Sequence, residues 1–580
     1  MKTILINGSA AIAILLAIGS ASCDSALNLD PQDQVGGGKM WRTPSDFKQF
    51  ANNFYDWTRD FKGDLFDLHS DERSDFITYQ TYNEFSHGAN TVPATDKIYE
   101  PCYSHIRRTN MLLENAASFG KPEQIRQPIG EAHFFRAYNY FELLQTYGDA
   151  ILTESVLDIT SPEMSQARNN RSEVADFIIK DLETAVEYLP DFSSNSEGPS
   201  RISKEGAYAF LSRVALFEGT WQKFRGNENR AKSLLETAAK AARKVIDSQK
   251  FYLFGTQGAS VALADSAYKY LFILENQKSN PAGVTKADNH EYIFVREHDE
   301  VLKPLGTNIT KGWVNNVKWV TRKFANMYLC SNGIPIETRN GINPVFQGYN
   351  KKDSEFQNRD RRMTLSLLKP GCRYFTNYSP NSRLTWDDKD YADLKRSILY
   401  DPQNGTCYNN QKWGAERAVA DTKEGYDYPL IRYAEVLLNY AEAVYESTGA
   451  MTSDAYEAIN MVRKRSNPDM PDLSDSFITA NSLDIRTEIR RERAVELYLE
   501  GFRFDDLRRW KTAEIEMPQD MLGVKKTGTA FSSVNLRYPV DEDGCVIVES
   551  DRKWTQKNYL YPIPSEQLQL NPNLSQNPGW

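Results

Sequence analysis

Glu492, Glu496 and Glu500 stand four residues apart, the spacing that lines carboxylates up along one face of a helix. Carboxylates hydrolyse glycosidic bonds, but that chemistry needs two of them facing each other across roughly 5 to 9.5 Å of open cleft. Neighbours stacked on one helix do not offer this geometry. With Arg493 and Arg503 each within three residues of a carboxylate, the pattern predicts an ion-pair network that locks the helix to its surroundings. GxSxG, GxxxxGKS/T and HExxH are absent from the sequence. These residues point to a binding protein and away from an enzyme.

Cys23 carries a different chemistry. It follows a leader in which Lys2 gives a positive start, residues 10–18 form an apolar run of nine, and Ser20-Ala21-Ser22 supply the small residues of a signal-peptidase cut. A cysteine there reads as a lipid attachment point, anchoring the mature chain through buried methylene groups. Residues 1–22 form the signal peptide, too short to cross a bilayer as a helix. Residues 23–39 continue as CDSALNLDPQDQVGGGK, the composition of a flexible tether. Ser20 stands where lipoprotein signals usually carry Leu, and the alternative is a secreted protein whose leader is cut elsewhere.

A third group of residues suits a sugar, which shows an apolar C–H face and a rim of hydroxyls. Aromatics make up 12% of the chain, and most are expected in helix packing. The informative ones lie in polar loops: Tyr79, Tyr82 and Phe85 in ITYQTYNEFSHG, and Trp313 and Trp319 in NITKGWVNNVKWVTRKF. Trp386, in SRLTWDDKDY, is a weaker candidate.

The elements that must position these groups are helices. Long amphipathic segments form one block at 128–147, 172–189, 203–221 and 230–248, and a second at 429–447, 453–465 and 484–510. Leu437, Tyr440, Ala441 and Val444 make one apolar stripe, and Ala434 and Ala441 allow a neighbouring helix to come close. The pattern resembles tetratricopeptide (TPR) pairs without their strict 34-residue period. One pair cannot bury both apolar faces, so the two blocks are expected to stack into one scaffold, with residues 249–428 looping out. That stretch, like 61–96, reads as loops and short strands, where binding groups sit on a rigid frame.

Composition excludes several functions. The net charge of −9 argues against nucleic acid, and no later run of eighteen apolar residues crosses a membrane. Beyond Cys23 there are Cys102, Cys330, Cys372, Cys407 and Cys545, an odd number, so at least one thiol stays unpaired. Cysteine and histidine spacing suggests no metal site, and no cofactor is expected.

Four segments carry a family resemblance: RRERAVELYLEGFRFDDLRRW at 490–510, FQNRDRRM at 356–363, SNGIPI at 331–336, and YLYPIPSEQLQLNPNLSQNPGW at 559–580. Ser70-Asp71-Glu72, the Tyr103, Ile106 and Asn110 spacing, and ALNLDPQ after Cys23 add to it. Over nearly its whole length the chain resembles the SusD/RagB nutrient-binding lipoproteins of Gram-negative outer membranes. The resemblance implies a mostly α fold of about four TPR-like helix pairs with a loop-rich ligand-binding face. It implies one domain over 40–580, with helices mainly at 98–250 and 429–511, ligand-binding regions at 61–96 and 249–428, and a tail at 512–580.

By the same resemblance the protein is a lipid-anchored surface lipoprotein of the outer membrane. It would capture oligosaccharides, or in some members peptides, for a SusC-like TonB-dependent transporter. Asp71, Tyr82, Trp313 and Trp319 carry over as ligand-binding candidates, with Arg73 and Asn83 as hydroxyl partners. Tyr99 stands where family members often place a Trp. The alternatives are a peptide importer subunit and a TPR-like protein-interaction scaffold.

Overall fold

The computed structural model describes residues 40–61, 71–307, 309–310, 318–369, 373–375, 383–385, 405–417, 420, 422–533 and 538–580. Helix starts follow from side chains that satisfy the first free N–H groups. Thr43 and Asp46 make a reciprocal cap with Pro44 in the first turn, opening α1 (Pro44–Asn52). Then come α2 (Tyr99–Ala117) and α3 (Arg126–Tyr147). Asn170 and Glu173 repeat the reciprocal cap at α4 (Arg171–Tyr188), and Ser203 caps α5 (Lys204–Lys223). After α6 (Glu228–Asp247) the second block supplies α7 (Tyr433–Thr448), α8 (Ser453–Ser466, capped by Thr452) and α9 (Ile485–Glu496, capped by Asp484).

Successive helices from α2 to α6 pack side by side, giving the TPR-like scaffold that the periodicity predicts. α3 is central: from Phe134 to Tyr147 every residue is buried. Two of its buried charges are paired, Arg136 with Asp181 at 2.7 Å and Glu131 with Arg201 at 2.5 Å. α5 and α6 approach closely at Gly219, where a methyl group would stand 2.9 Å from Leu235. The two blocks do join. α7 lies against α5, α6, α8 and α9, with Ala434 and Ala441 fully buried. Arg213 bonds Glu435 at 2.6 Å and Lys223 bonds Glu446 at 2.7 Å across the junction.

Two expected helices change in the structure. The segment 429–447 does not begin as a helix: Tyr428–Arg432 is a strand, paired antiparallel with Tyr292–Arg296. Its five residues are all buried, so the strand closes the insertion onto the scaffold before α7 starts. The segment 484–510 breaks after α9, turns through Leu499 (φ 55°) and Gly501 (φ 80°), and resumes as α10 (Arg503–Arg509). The Asp71 carboxylate accepts from the Leu499 N–H at 2.7 Å and the Arg503 N–H at 3.3 Å, which fixes the break.

The predicted ion-pair network exists, with different partners. Glu492 binds Arg362 at 2.6 Å and Glu496 binds Arg362 at 3.0 Å. Glu496 also binds Arg432 at 2.7 Å and pairs with Arg465. Glu500 takes Arg432 at 2.7 Å and Lys412 at 2.6 Å, and Glu291 joins Arg432 at 2.8 Å. The cations come from the insertion and the second block, while the sequence neighbours turn elsewhere: Arg493 to Asp506 at 2.8 Å and Arg503 to Asp75 at 2.9 Å. All three glutamates are buried.

The C-terminal tail is pinned to the body, as its Asn-Pro pairs suggest. Asn577 donates to the Tyr147 and Tyr561 carbonyls at 2.9 and 2.6 Å, and the Trp580 indole donates to the Leu560 carbonyl at 2.9 Å. Among the described residues no helix is long and apolar enough to cross a membrane. Cys102, Cys330 and Cys545 are free and buried, and Cys407 is buried; Cys23 and Cys372 lie outside the described residues.

Candidate functional site

A two-residue ladder positions the site: Ile77 pairs with Val320 and Thr78 with Trp319, antiparallel. It joins the two irregular regions that the sequence marks as ligand-binding. Beyond Thr78 the chain turns outward until Asn83 caps a short helix, Glu84–His87, accepting from the Phe85 and Ser86 N–H groups at 3.0 and 3.3 Å. Gly88, with φ 75°, ends that helix in a left-handed turn. The segment 549–553 holds it from the tail side. Glu549 accepts from Thr78 Oγ1 at 3.0 Å and meets His87 Nδ1 at 3.1 Å, Arg552 donates to the Ser86 carbonyl at 3.0 Å, and the Lys553 N–H to the His87 carbonyl at 3.1 Å.

Between these pieces lies a cavity of about 230 Å³ whose lining includes Glu72, Thr78, Tyr79, Asn83, Ser86 and Glu549. Hydroxyls, an amide, carboxylates and one aromatic ring converge there, as recognition of a polar ligand with apolar faces requires. Tyr82, flanked in sequence by two lining residues, stacks on His87 with ring centroids 4.2 Å apart and remains 46% exposed. Among the described aromatics its exposure is unusual, since most rings pack into the core.

The predicted residues separate into two sets. Asn83 lines the cavity, and Tyr82 is its exposed neighbour in sequence. Asp71, Arg73, Tyr99 and Trp319 are interior, 2%, 4%, 4% and 3% exposed. Asp71 fixes the α9–α10 break, and burial pushes its carboxyl up to about 6 against the two backbone N–H groups that favour its charge. Arg73 hydrogen-bonds the Tyr561 hydroxyl and lies over the Phe504 ring. Tyr99 packs against Tyr103 and Tyr147, and burial raises its hydroxyl pKa. Trp319 was expected in a polar loop, but strand pairing and the Tyr79 ring, 5.3 Å away, cover it. The two rings meet edge to face. Trp313, Trp386 and the lipidation candidate Cys23 lie outside the described residues.

Sequence reasoning missed Glu549, His87 and Thr78. Glu549 and Thr78 are 471 residues apart, and nothing local marks either of them. His87 carried a signal, a ring in the same polar loop as Tyr82.

The fold and the cavity together define a helical-repeat scaffold that carries a polar cavity with an exposed aromatic ring next to one of its lining residues in sequence. The SusD family model matches residues 272–580, more than half of the chain, and the protein belongs to that family. A second family model, described as starch-binding and associating with the outer membrane, matches residues 33–216. The chain is 23% identical to SusD-like protein P2 of Formosa agariphila, over 98% of each sequence. A SusD-like carbohydrate binding protein from Bacteroides fragilis superposes with a TM-score of 0.70 at 22% identity, covering 92% of this chain and 99% of that one. A surface glycan-binding protein from Bacteroides fluxus gives 0.59 at 18% identity, covering 93% and 100%.

Proposed function

We propose that this protein is a lipid-anchored, surface-facing outer-membrane component that binds oligosaccharides and hands them to a SusC-like TonB-dependent transporter. The observation that carries the reading is the exposed Tyr82 ring beside a cavity lined by hydroxyl, amide and carboxylate groups. The ring offers a platform for a sugar's C–H face, and the polar groups pair its hydroxyls. Family membership and the leader ending at Cys23 support the setting. Residues 40–580 act as one unit, tethered by 23–39. Trp313, six residues before Trp319 in sequence, is proposed as a second platform. Stacking contacts worth a few kcal/mol in total suit a delivery protein, because micromolar to millimolar affinity lets cargo leave quickly. No bond is made or broken in this role.

Affinity electrophoresis of residues 40–580 in gels carrying neutral and acidic polysaccharides tests binding. Native protein is expected to be retarded by at least one glycan. Tyr82→Ala is expected to weaken that retardation tenfold or more with a nearly unchanged melting temperature, because the residue is 46% exposed and its ring packs on His87 at the surface and not in the core. Retardation of the variant equal to the native protein would place the ligand elsewhere. Anchoring is tested separately in cells: Cys23→Ala is expected to move the protein from the outer-membrane fraction to the soluble one. A variant that stays with the membrane would rule out the acyl anchor. Delivery is tested by co-purification with a TonB-dependent transporter.

A further inference from the structure

The cavity has a charge character that its size alone does not require. Two carboxylates, Glu72 and Glu549, lie in its wall, and none of the described lining residues is cationic. The cations that balance these carboxylates stand behind the wall: Lys318 pairs with Glu72, and Arg552 approaches Glu549 at 3.2 Å. Asn83 adds a donor. Its Oδ1 is occupied by the helix cap, while Nδ2 is buried with no hydrogen-bond partner on a side chain whose residue is only 8% exposed. A buried amide N–H without an acceptor is costly, and this one belongs to a residue that lines the cavity.

We infer that the site selects neutral glycans, with the Asn83 amide donating to a sugar oxygen and the Glu72 and Glu549 carboxylates excluding uronic and sulfated units. This rests on the glycan-binding reading above. The volume of about 230 Å³ falls below the roughly 300–1,000 Å³ of pockets that enclose a drug-sized ligand. One sugar ring enters, and the rest of the glycan lies over Tyr82. An anionic ring in that space would face carboxylates with no cation among the described lining residues to pair it, and such like-charge juxtaposition suppresses binding. A neutral ring instead supplies hydroxyl donors to the carboxylates and an acceptor to Asn83 Nδ2.

Electrophoresis in gels of amylopectin, xylan, galactomannan and mixed-linkage β-glucan, against polygalacturonate, alginate and carrageenan, decides the matter. The expected result is retardation by at least one neutral glycan and by no acidic one. Asn83→Asp keeps the helix cap, since Asp caps as well as Asn, but replaces the free donor with a third carboxylate. It is expected to weaken neutral-glycan retardation at least tenfold at pH 7; Asn83→Ser, a second capping residue without the amide and without added charge, is expected to show the same loss with an unchanged melting temperature. Unchanged retardation of both variants would overturn the donor role. Retardation by an acidic glycan that equals or exceeds that by neutral ones, and that Tyr82→Ala removes, would overturn the charge selection while leaving the binding site in place. No retardation on any gel would overturn both.

Discussion

Arg432→Met is expected to lower the free energy of unfolding by about 3–5 kcal/mol, the usual effect of removing one partner from a buried ion cluster. Arg432 is 1% exposed and bridges Glu291, Glu496 and Glu500 at 2.7–2.8 Å. Methionine keeps the apolar stem, so the deficit reports the lost charge and hydrogen bonds. Burial by itself raises the Glu496 carboxyl, but Arg465, Arg432 and Arg362 hold it well below the ordinary value of 4.5. Glu500 meets the same burial penalty and is held below that value by Arg432 and Lys412.

A carboxyl depressed in the folded state stabilises the protein above its unfolded pKa, and the gain is lost as pH falls through the folded one. In Arg432→Met the pKa of both carboxyls rises. The gap between variant and native protein is therefore expected to be widest near neutral pH and to narrow as pH falls toward about 4, where glutamates take up protons. Denaturant titrations followed by circular dichroism at pH 7.5 and pH 5 check this. A gap of equal size at both would assign the loss to packing and not to charge.

Gly88→Ala is expected to abolish glycan retardation and to cost more than about 1 kcal/mol of stability, the scale for placing alanine where φ is positive. Gly88 has φ 75°, and a methyl group there would stand 2.0 Å from the Lys553 carbonyl oxygen and 2.9 Å from its carbon. These are backbone atoms and cannot turn aside. Relief comes only if the helix Glu84–His87 separates from 549–553, which breaks the Lys553 to His87 hydrogen bond and displaces His87 from Glu549. Tyr82 loses its stacking partner, and the cavity loses one wall. The scaffold helices α2 to α9 do not rest on this contact, so far-ultraviolet circular dichroism is expected to stay native. A Gly88→Ala protein that binds glycan normally would show that the tail does not position the site.

Helix positions were legible because their signals are local. Caps such as Thr43 with Asp46 and Asn170 with Glu173, together with apolar residues every three to four positions, depend on near neighbours only. The breaks were harder to see. Gly501 gave a hint, but 484–510 keeps a helical pattern through the turn, and what bends it is the Asp71 carboxylate, more than 400 positions earlier in the chain. The strand Tyr428–Arg432 was hidden for a related reason: its apolar residues fit either a helix or a strand, and the partner Tyr292–Arg296 decides between them.

Asp71, Arg73, Tyr99 and Trp319 show the limit of inferring a site from residue type. A polar or aromatic residue in a loop can face solvent or hold the loop to the core, and both use the same chemistry. Asn83 lines the cavity, with Tyr82 next to it in sequence, because Glu549, His87 and the Gly88 turn fix the loop that carries them.

The sequence by itself determined that the chain is a helical scaffold of the SusD family with polar, aromatic-bearing loops, because periodicity, caps and long motifs need no knowledge of distant contacts. Only the tertiary structure decided which arginines neutralise Glu492, Glu496 and Glu500, which rings remain exposed, and that Thr78 and Glu549 share one wall. Burial and ion pairing arise where remote segments meet. The short-range regularities along a chain do not encode those meetings.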